Sequence, residues 1–228
     1  MIIKVCGLRE PDNIHAVEQL GVDMVGFIFW PESPRYVHQI RSRAGIIPDY
    51  TSFSSERKAG QAEQKRAQRV GVFVDDMPQN IVTRVYNYHL DWVQLHGQES
   101  PVMIDNLRRT IDPDIHPGIR IIKAMSISSA DDLKQCEAFE GAVDMFLFDT
   151  KSPSVGGSGK QFDWAILEDY QGQTPFLLSG GIGPDDADRI HSFSHPMLAG
   201  IDLNSRFETQ PGVKDVELLS RFIDAVRR

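Results

Sequence analysis

Short apolar runs alternate with amphipathic helical stretches along the whole chain, and this alternation restricts the fold more than any other feature. Strands are expected at Ile2 to Cys6, Met24 to Phe29, Val70 to Val74, Trp92 to Leu95, Ile119 to Ala124, Met145 to Asp149, Pro175 to Ser179 and Met197 to Leu203. Helical patterns fall at Asn13 to Leu20, Gln79 to Tyr88, Val102 to Arg109, Ala130 to Phe139, Trp164 to Tyr170, Asp185 to Phe193 and Val216 to Val226. Pro78, Pro101 and Pro184 stand where first helical turns should begin, and Ser128 or Ser129 is placed to cap the helix at Ala130. About eight strand-helix units over 228 residues read as an α/β chain closed into a single (β/α)8 TIM barrel, one domain spanning 1-228. An open doubly wound sheet is the alternative, but Cys6-Gly7-Leu8-Arg9 is not the Gly-rich turn such a sheet carries after its first strand.

One connection is oversized. The segment from Arg41 to Arg69 is rich in Lys, Arg, Gln, Ser and Glu and reads as a solvated surface excursion, with one helix from Glu56 to Gln68.

In a barrel the chemistry belongs at the C-terminal ends of the strands. Those ends collect Cys6, the loop Pro31 to Arg35, Asp75, His96-Gly97, Asp149, Ser179-Gly180-Gly181 and Asp202-Leu203-Asn204-Ser205. Cys6 by itself reads as a packed thiol as readily as a reactive one. Strand alternation puts Met145, Leu147 and Asp149 on one face and Phe146 and Phe148 on the other. An inward Asp149 would therefore stand above an apolar core, ahead of a glycine-rich loop from Thr150 to Lys160 that reads as a lid. The turns at Gly180-Gly181 and Asn204-Ser205 follow the seventh and eighth strands, where barrels cradle phosphate. Asp75 is expected to cap the next helix, His96 to brace the rim, and Cys136 to be core.

The net charge of -8 argues against a nucleic-acid partner, although basic groups converging locally would still suit an anionic substrate. Cys6 and Cys136 form neither a disulfide framework nor a zinc pattern, and no apolar run reaches membrane-spanning length. With no basic-then-apolar leader at the start, the expectation is a cytoplasmic protein without metal or membrane association.

Several blocks together resemble the phosphoribosylanthranilate isomerase family of tryptophan biosynthesis. They are Lys4-Val5-Cys6-Gly7-Leu8, Gly26 to Phe29 with Ser33 to Val37, Val70 to Val74, Val93 to Gly97, Phe148-Asp149, Ser179-Gly180-Gly181 and Pro211 to Asp215. The resemblance implies a cofactor-free Amadori rearrangement of N-(5-phosphoribosyl)anthranilate to 1-(2-carboxyphenylamino)-1-deoxyribulose 5-phosphate. It implies Asp149 as general acid on the furanose oxygen, Cys6 as general base at C2, Arg35 on the anthranilate carboxylate, and Gly180, Gly181, Asn204 and Ser205 around the phosphate. Such a base needs a thiolate. Lys4 is the nearest cation, although pairing with a carboxylate such as Asp202 is the expected arrangement. Arg206 departs from the family by replacing a glycine. Alternatives are another phosphosugar enzyme, such as an epimerase with metal-binding His and Asp, or a barrel that only binds phosphorylated ligands. A second aminoaldose substrate, a homodimer and association with other tryptophan-pathway enzymes stay open.

Overall fold

The computed structural model describes residues 1–38, 66–149 and 164–228. Eight parallel strands close into a barrel in sequence order: β1 (Ile2–Val5), β2 (Met24–Ile28), β3 (Gln68–Phe73), β4 (Trp92–Leu95), β5 (Arg120–Ser126), β6 (Met145–Asp149), β7 (Phe176–Ser179) and β8 (Leu198–Leu203). Closure is made by β8 on β1, with Ile2 opposite Gly200 and Lys4 opposite Asp202. The helices are α1 (Pro11–Glu18), α2 (Pro78–Tyr88), α3 (Pro101–Ile111), α4 (Ala130–Leu133), α5 (Ala187–Ser192) and α6 (Val216–Val226).

The alternation of side chains divides the apolar residues into two cores. Met24, Val70, Trp92, Ile122, Ala124, Met145, Leu147 and Leu177 fill the barrel interior. Their strand neighbours, among them Ile3, Val5, Phe146 and Phe148, face the helical layer. Each fully buried large side chain contributes roughly 1.5–3 kcal/mol, so both faces of every strand resist a register slip. Asp149 lies on the same face as Met145 and Leu147, above the interior cluster.

Proline opens α1, α2 and α3 at a position where no backbone N–H is needed. Pro184 does not open α5. The Asp186 carboxylate accepts from Gly183 N at 2.7 Å and Asp186 N donates to Gly183 O at 3.1 Å, closing a turn that delays the helix to Ala187. The helix expected from Trp164 is 3-10 over Trp164–Asp169, and the one beginning at Ala130 turns 3-10 from Lys134 to Phe139. Asp132 Oδ2 accepts from the N–H and hydroxyl groups of both Ser128 and Ser129 and fixes that start.

Asp75 is not a helix cap. Its backbone is left-handed, with φ 46°, and Oδ1 accepts from Gln98 N at 2.6 Å, tying the loop after β3 to the loop after β4. Met77 holds the cap position of α2. The helix expected to run to Gln68 gives way to β3, which begins at that residue; residues 41–65 of the excursion and the loop from Thr150 to Lys160 lie outside the described residues. Cys136 is 1% exposed in the outer core, and burial pushes its thiol up to about 12. A short antiparallel ribbon, β9 (Glu208–Gln210) with β10 (Val213–Lys214), follows β8 and carries two charged residues back to the barrel mouth. The Pro211-Gly212 pair between them is the one local signal for that turn.

Candidate active site

Cys6 follows β1 directly, 4% exposed, with its N–H donated to Leu203 O at 2.8 Å. Lys4, two residues back on the same inward face, is fully buried, and its ammonium lies 2.7 Å from Asp202 Oδ1. Burial pulls Lys4 down, but the Asp202 carboxylate and the neighbouring sulfur outweigh it and hold the ammonium above its ordinary value. Burial has the opposite sense for the thiol. It pushes Cys6 up, and Asp202 adds to it, while Lys4 and Lys214 pull down without prevailing. Burial thus outweighs the two flanking lysines, and the balance favours the thiol over the thiolate.

The sulfur is closely confined. A Cβ at Gly26 would sit 2.8 Å from Cys6 Sγ, so β2 must carry glycine opposite the thiol. Gly7 has φ 75°, and a Cβ there would meet Arg35 Cδ at 2.6 Å and Asn204 Oδ1 at 2.7 Å. That glycine lets β1 turn away while Arg35 and Asn204 close over it.

Arg35 is already paired. Its Nε and Nη2 grip the Glu208 carboxylate at 2.8 and 2.6 Å, a forked contact that raises the guanidinium further. Lys214, with a side chain at 0% exposure, donates to Glu208 Oε1 at 2.7 Å and Asn204 Oδ1 at 2.8 Å. Burial would raise Glu208, but the hydrogen bonds from Arg35 and Lys214 outweigh it and hold the carboxyl below its usual range. Burial draws Lys214 below its ordinary value against the pull of Glu208. Glu208 and Lys214 were not among the residues that sequence reasoning assigned a role, because they reach the site through the β9–β10 ribbon. Lys4, Arg35, Arg206 and Lys214 on this side of the mouth outnumber Asp202 and Glu208, so an acidic chain presents a locally cationic rim.

On the other side of the ring Asp149 closes β6, its side chain 25% exposed and its Oδ2 3.6 Å from His96 Nε2. Gly180 and Gly181 follow β7 with φ of 90° and 72°, and a Cβ on Gly181 would meet nothing within 4 Å, so this turn faces open space. Asn204 and Ser205 follow β8 beside it, and Arg206 packs Cβ and Cγ at 4.0 Å from the Cβ position of Gly183. The helix after each turn is short, six residues in α5 and three at Ser205–Phe207, so backbone N–H groups and side chains, rather than a long helix dipole, would meet an anion here. Among the described residues, no group of three His, Cys, Asp or Glu side chains is arranged to hold a metal ion, and no helix is long and apolar enough to cross a membrane.

Residues 3–225 match the family model described as N-(5'phosphoribosyl)anthranilate (PRA) isomerase. The N-(5'-phosphoribosyl)anthranilate isomerase of Parabacteroides distasonis is 44% identical over 226 residues, spanning 99% of this chain and 93% of that protein. That of Phocaeicola vulgatus is 42% identical, spanning 100% of this chain and 98% of that protein. The crystal structure of phosphoribosyl anthranilate isomerase from Thermotoga maritima superposes with a TM-score of 0.75 at 30% identity, covering 100% of this chain and 99% of that one. Another crystal structure of the isomerase, in complex with reduced 1-(o-carboxyphenylamino)-1-deoxyribulose 5-phosphate, is similar at TM-score 0.73 and 25% identity, covering 100% and 99%.

Proposed function

The chain belongs to the N-(5'-phosphoribosyl)anthranilate isomerase family, an isomerase of tryptophan biosynthesis, and on that premise we propose that Asp149 and Cys6 are the general acid and general base of its Amadori rearrangement. The observation that carries this reading is the closure of the inward faces of β1 and β6 by a confined thiol and a carboxyl group at the same end of one barrel. Asp149 donates a proton to the furanose oxygen and the ring C–O bond breaks, giving a Schiff base. Cys6 thiolate then takes the C2 proton, and the resulting enolamine tautomerises to the ketone.

Burial holds the Cys6 thiol above its ordinary value, so the thiolate is the minor form at neutral pH. The form that removes the C2 proton, with Cys6 as thiolate, is thus a minor one. Lys4 and Lys214 keep that form within reach by pulling the thiol down against burial.

Arg35 keeps its Nε–Nη2 edge on Glu208, and none of the described residues accepts from Nη1. We assign the remaining edge to the substrate carboxylate, with Glu208 holding the guanidinium in place. Gly180, Gly181, Asn204 and Ser205 surround the phosphate, with Arg206 adding a charge above the glycine turn. A cytoplasmic location and a homodimer belong to the same reading, a dimer being named for the Thermotoga maritima relative.

The test follows the loss of phosphoribosylanthranilate fluorescence. Cys6→Ser and Asp149→Asn should each collapse turnover while binding of the reduced product analogue is kept. Unchanged turnover in either variant overturns the assignment.

A further inference from the structure

His96 has two neighbours that together define its role. Trp92 and Gln94 lie on the inward face of β4, and His96, just past its end with its N–H donated to Phe73 O at 2.8 Å, continues the alternation, so the Gln94 amide stands beneath the imidazole. Gln94 Nε2 lies 3.3 Å from His96 Nδ1, and His96 Nε2 lies 3.6 Å from Asp149 Oδ2. Gln94 is 2% exposed, and its Oε1 has no hydrogen-bond partner. Burying a primary amide with one end unsatisfied costs stability, and an apolar residue would fill the barrel interior more favourably. Its retention on the axis calls for an explanation outside packing.

We propose that Gln94 and His96 form a positioning relay that selects which oxygen of Asp149 carries the acidic proton. The inference rests on the assignment of Asp149 as general acid. The Gln94 N–H donates to Nδ1, which must then be the unprotonated ring nitrogen, and the imidazole proton sits on Nε2. That Nε2–H has the Asp149 carboxylate as its neighbour, Oδ2 at 3.6 Å, and the contact shortens to a hydrogen bond in the substrate complex. An oxygen that accepts a hydrogen bond from Nε2–H does not hold the carboxyl proton on the same side, so the proton is kept on Oδ1. When Oδ1 gives its proton to the sugar ring oxygen, the same Nε2–H stabilises the carboxylate left behind. No proton leaves His96 in this step, and the balance is between Asp149 and the ring oxygen alone.

The remaining charged groups near His96 are already committed. Lys123 donates to Gly97 O at 2.7 Å and to Glu99 at 3.2 Å; Glu99 accepts from Asp75 N and Gly97 N, and Asp75 Oδ1 accepts from Gln98 N. Among the described residues, Asp149 is the only carboxylate within ion-pair distance of the imidazole.

The relay is read first on the histidine itself, by nitrogen NMR of protein labelled with 15N-histidine and assigned with a His96→Gln sample. At a pH where the ring is neutral, His96 should show the Nε2–H tautomer in wild type and the Nδ1–H tautomer in Gln94→Glu, whose carboxylate accepts where the amide donated. Kinetics supply the second readout. His96→Ala should lower kcat by about 10- to 100-fold, a part of the 10²–10⁴ that general acid catalysis contributes, with KM changed less than about threefold. His96→Gln places an amide N–H near the Nε2 position and should restore kcat to within about fivefold of wild type. A wild-type Nδ1–H tautomer, an unchanged kcat in His96→Ala, or no recovery in His96→Gln overturns the relay. Full turnover in Asp149→Asn would instead overturn the acid assignment, whatever tautomer is found.

Discussion

Replacing Asp202 by Asn should make the protein less stable and its active-site thiol more reactive at once. The Lys4 ammonium has no solvent exposure and lies 2.7 Å from Asp202 Oδ1. Removing one partner of such a pair leaves an uncompensated buried charge, which costs about 3–5 kcal/mol. The Ser179 hydroxyl, 3.2 Å from Asp202 Oδ2, can still donate to the Asn carbonyl, so its share is about 1 kcal/mol or less. For a barrel of this size the loss lowers Tm by roughly 6–20 °C, at about 2–4 °C per kcal/mol. Adding Lys4→Met removes the stranded charge, and the double variant should be more stable than Asp202→Asn alone, the sign expected for a coupled pair. For the thiol the direction is opposite. Asp202 pushes Cys6 up and Lys4 pulls it down, so Asn leaves the ammonium free to favour thiolate. Urea unfolding would measure the first effect and iodoacetamide alkylation between pH 7 and 8 the second, with Cys136, pushed up to about 12, as the silent internal control. Stability within about 1 kcal/mol of wild type, or alkylation of Cys6 no faster than in wild type, would refute this account of the pair.

Gly26→Ala places a methyl 2.8 Å from Cys6 Sγ and 3.1 Å from Cys6 Cα, so it should displace the thiol and suppress turnover in a protein whose circular dichroism is unchanged; retained turnover would show that β2 can move aside. Arg206→Gly should raise KM by about 3- to 10-fold through loss of one exposed charge contact, while moving kcat little. Inhibition by inorganic phosphate should weaken in step, and the difference should fade at high salt. An unaltered phosphate inhibition constant would remove Arg206 from the anion site.

The barrel itself was legible in the chain because its cause is local and repeated. Each apolar run is short, each is followed by a helical pattern, and the inward and outward cores separate by strand alternation alone, as the opposed fates of Leu147 and Phe148 show. The rim inventory followed from the same regularity, since the residue that ends a strand ends at the mouth. Asp149 above Leu147 and Cys6 above Lys4 are consequences of period two and nothing more.

What only the tertiary structure decided is how those rim groups pair. Arg35 meets Glu208 across 173 residues, Lys4 meets Asp202 across 198, and His96 meets Asp149 over the end of β5, which separates β4 from β6. The balance between burial and charge that leaves Cys6 a thiol depends on groups brought from β8 and β10. Periodicity records which face a side chain takes, whereas electrostatic energy depends on distance and on exclusion of water, and both exist only once the ring has closed.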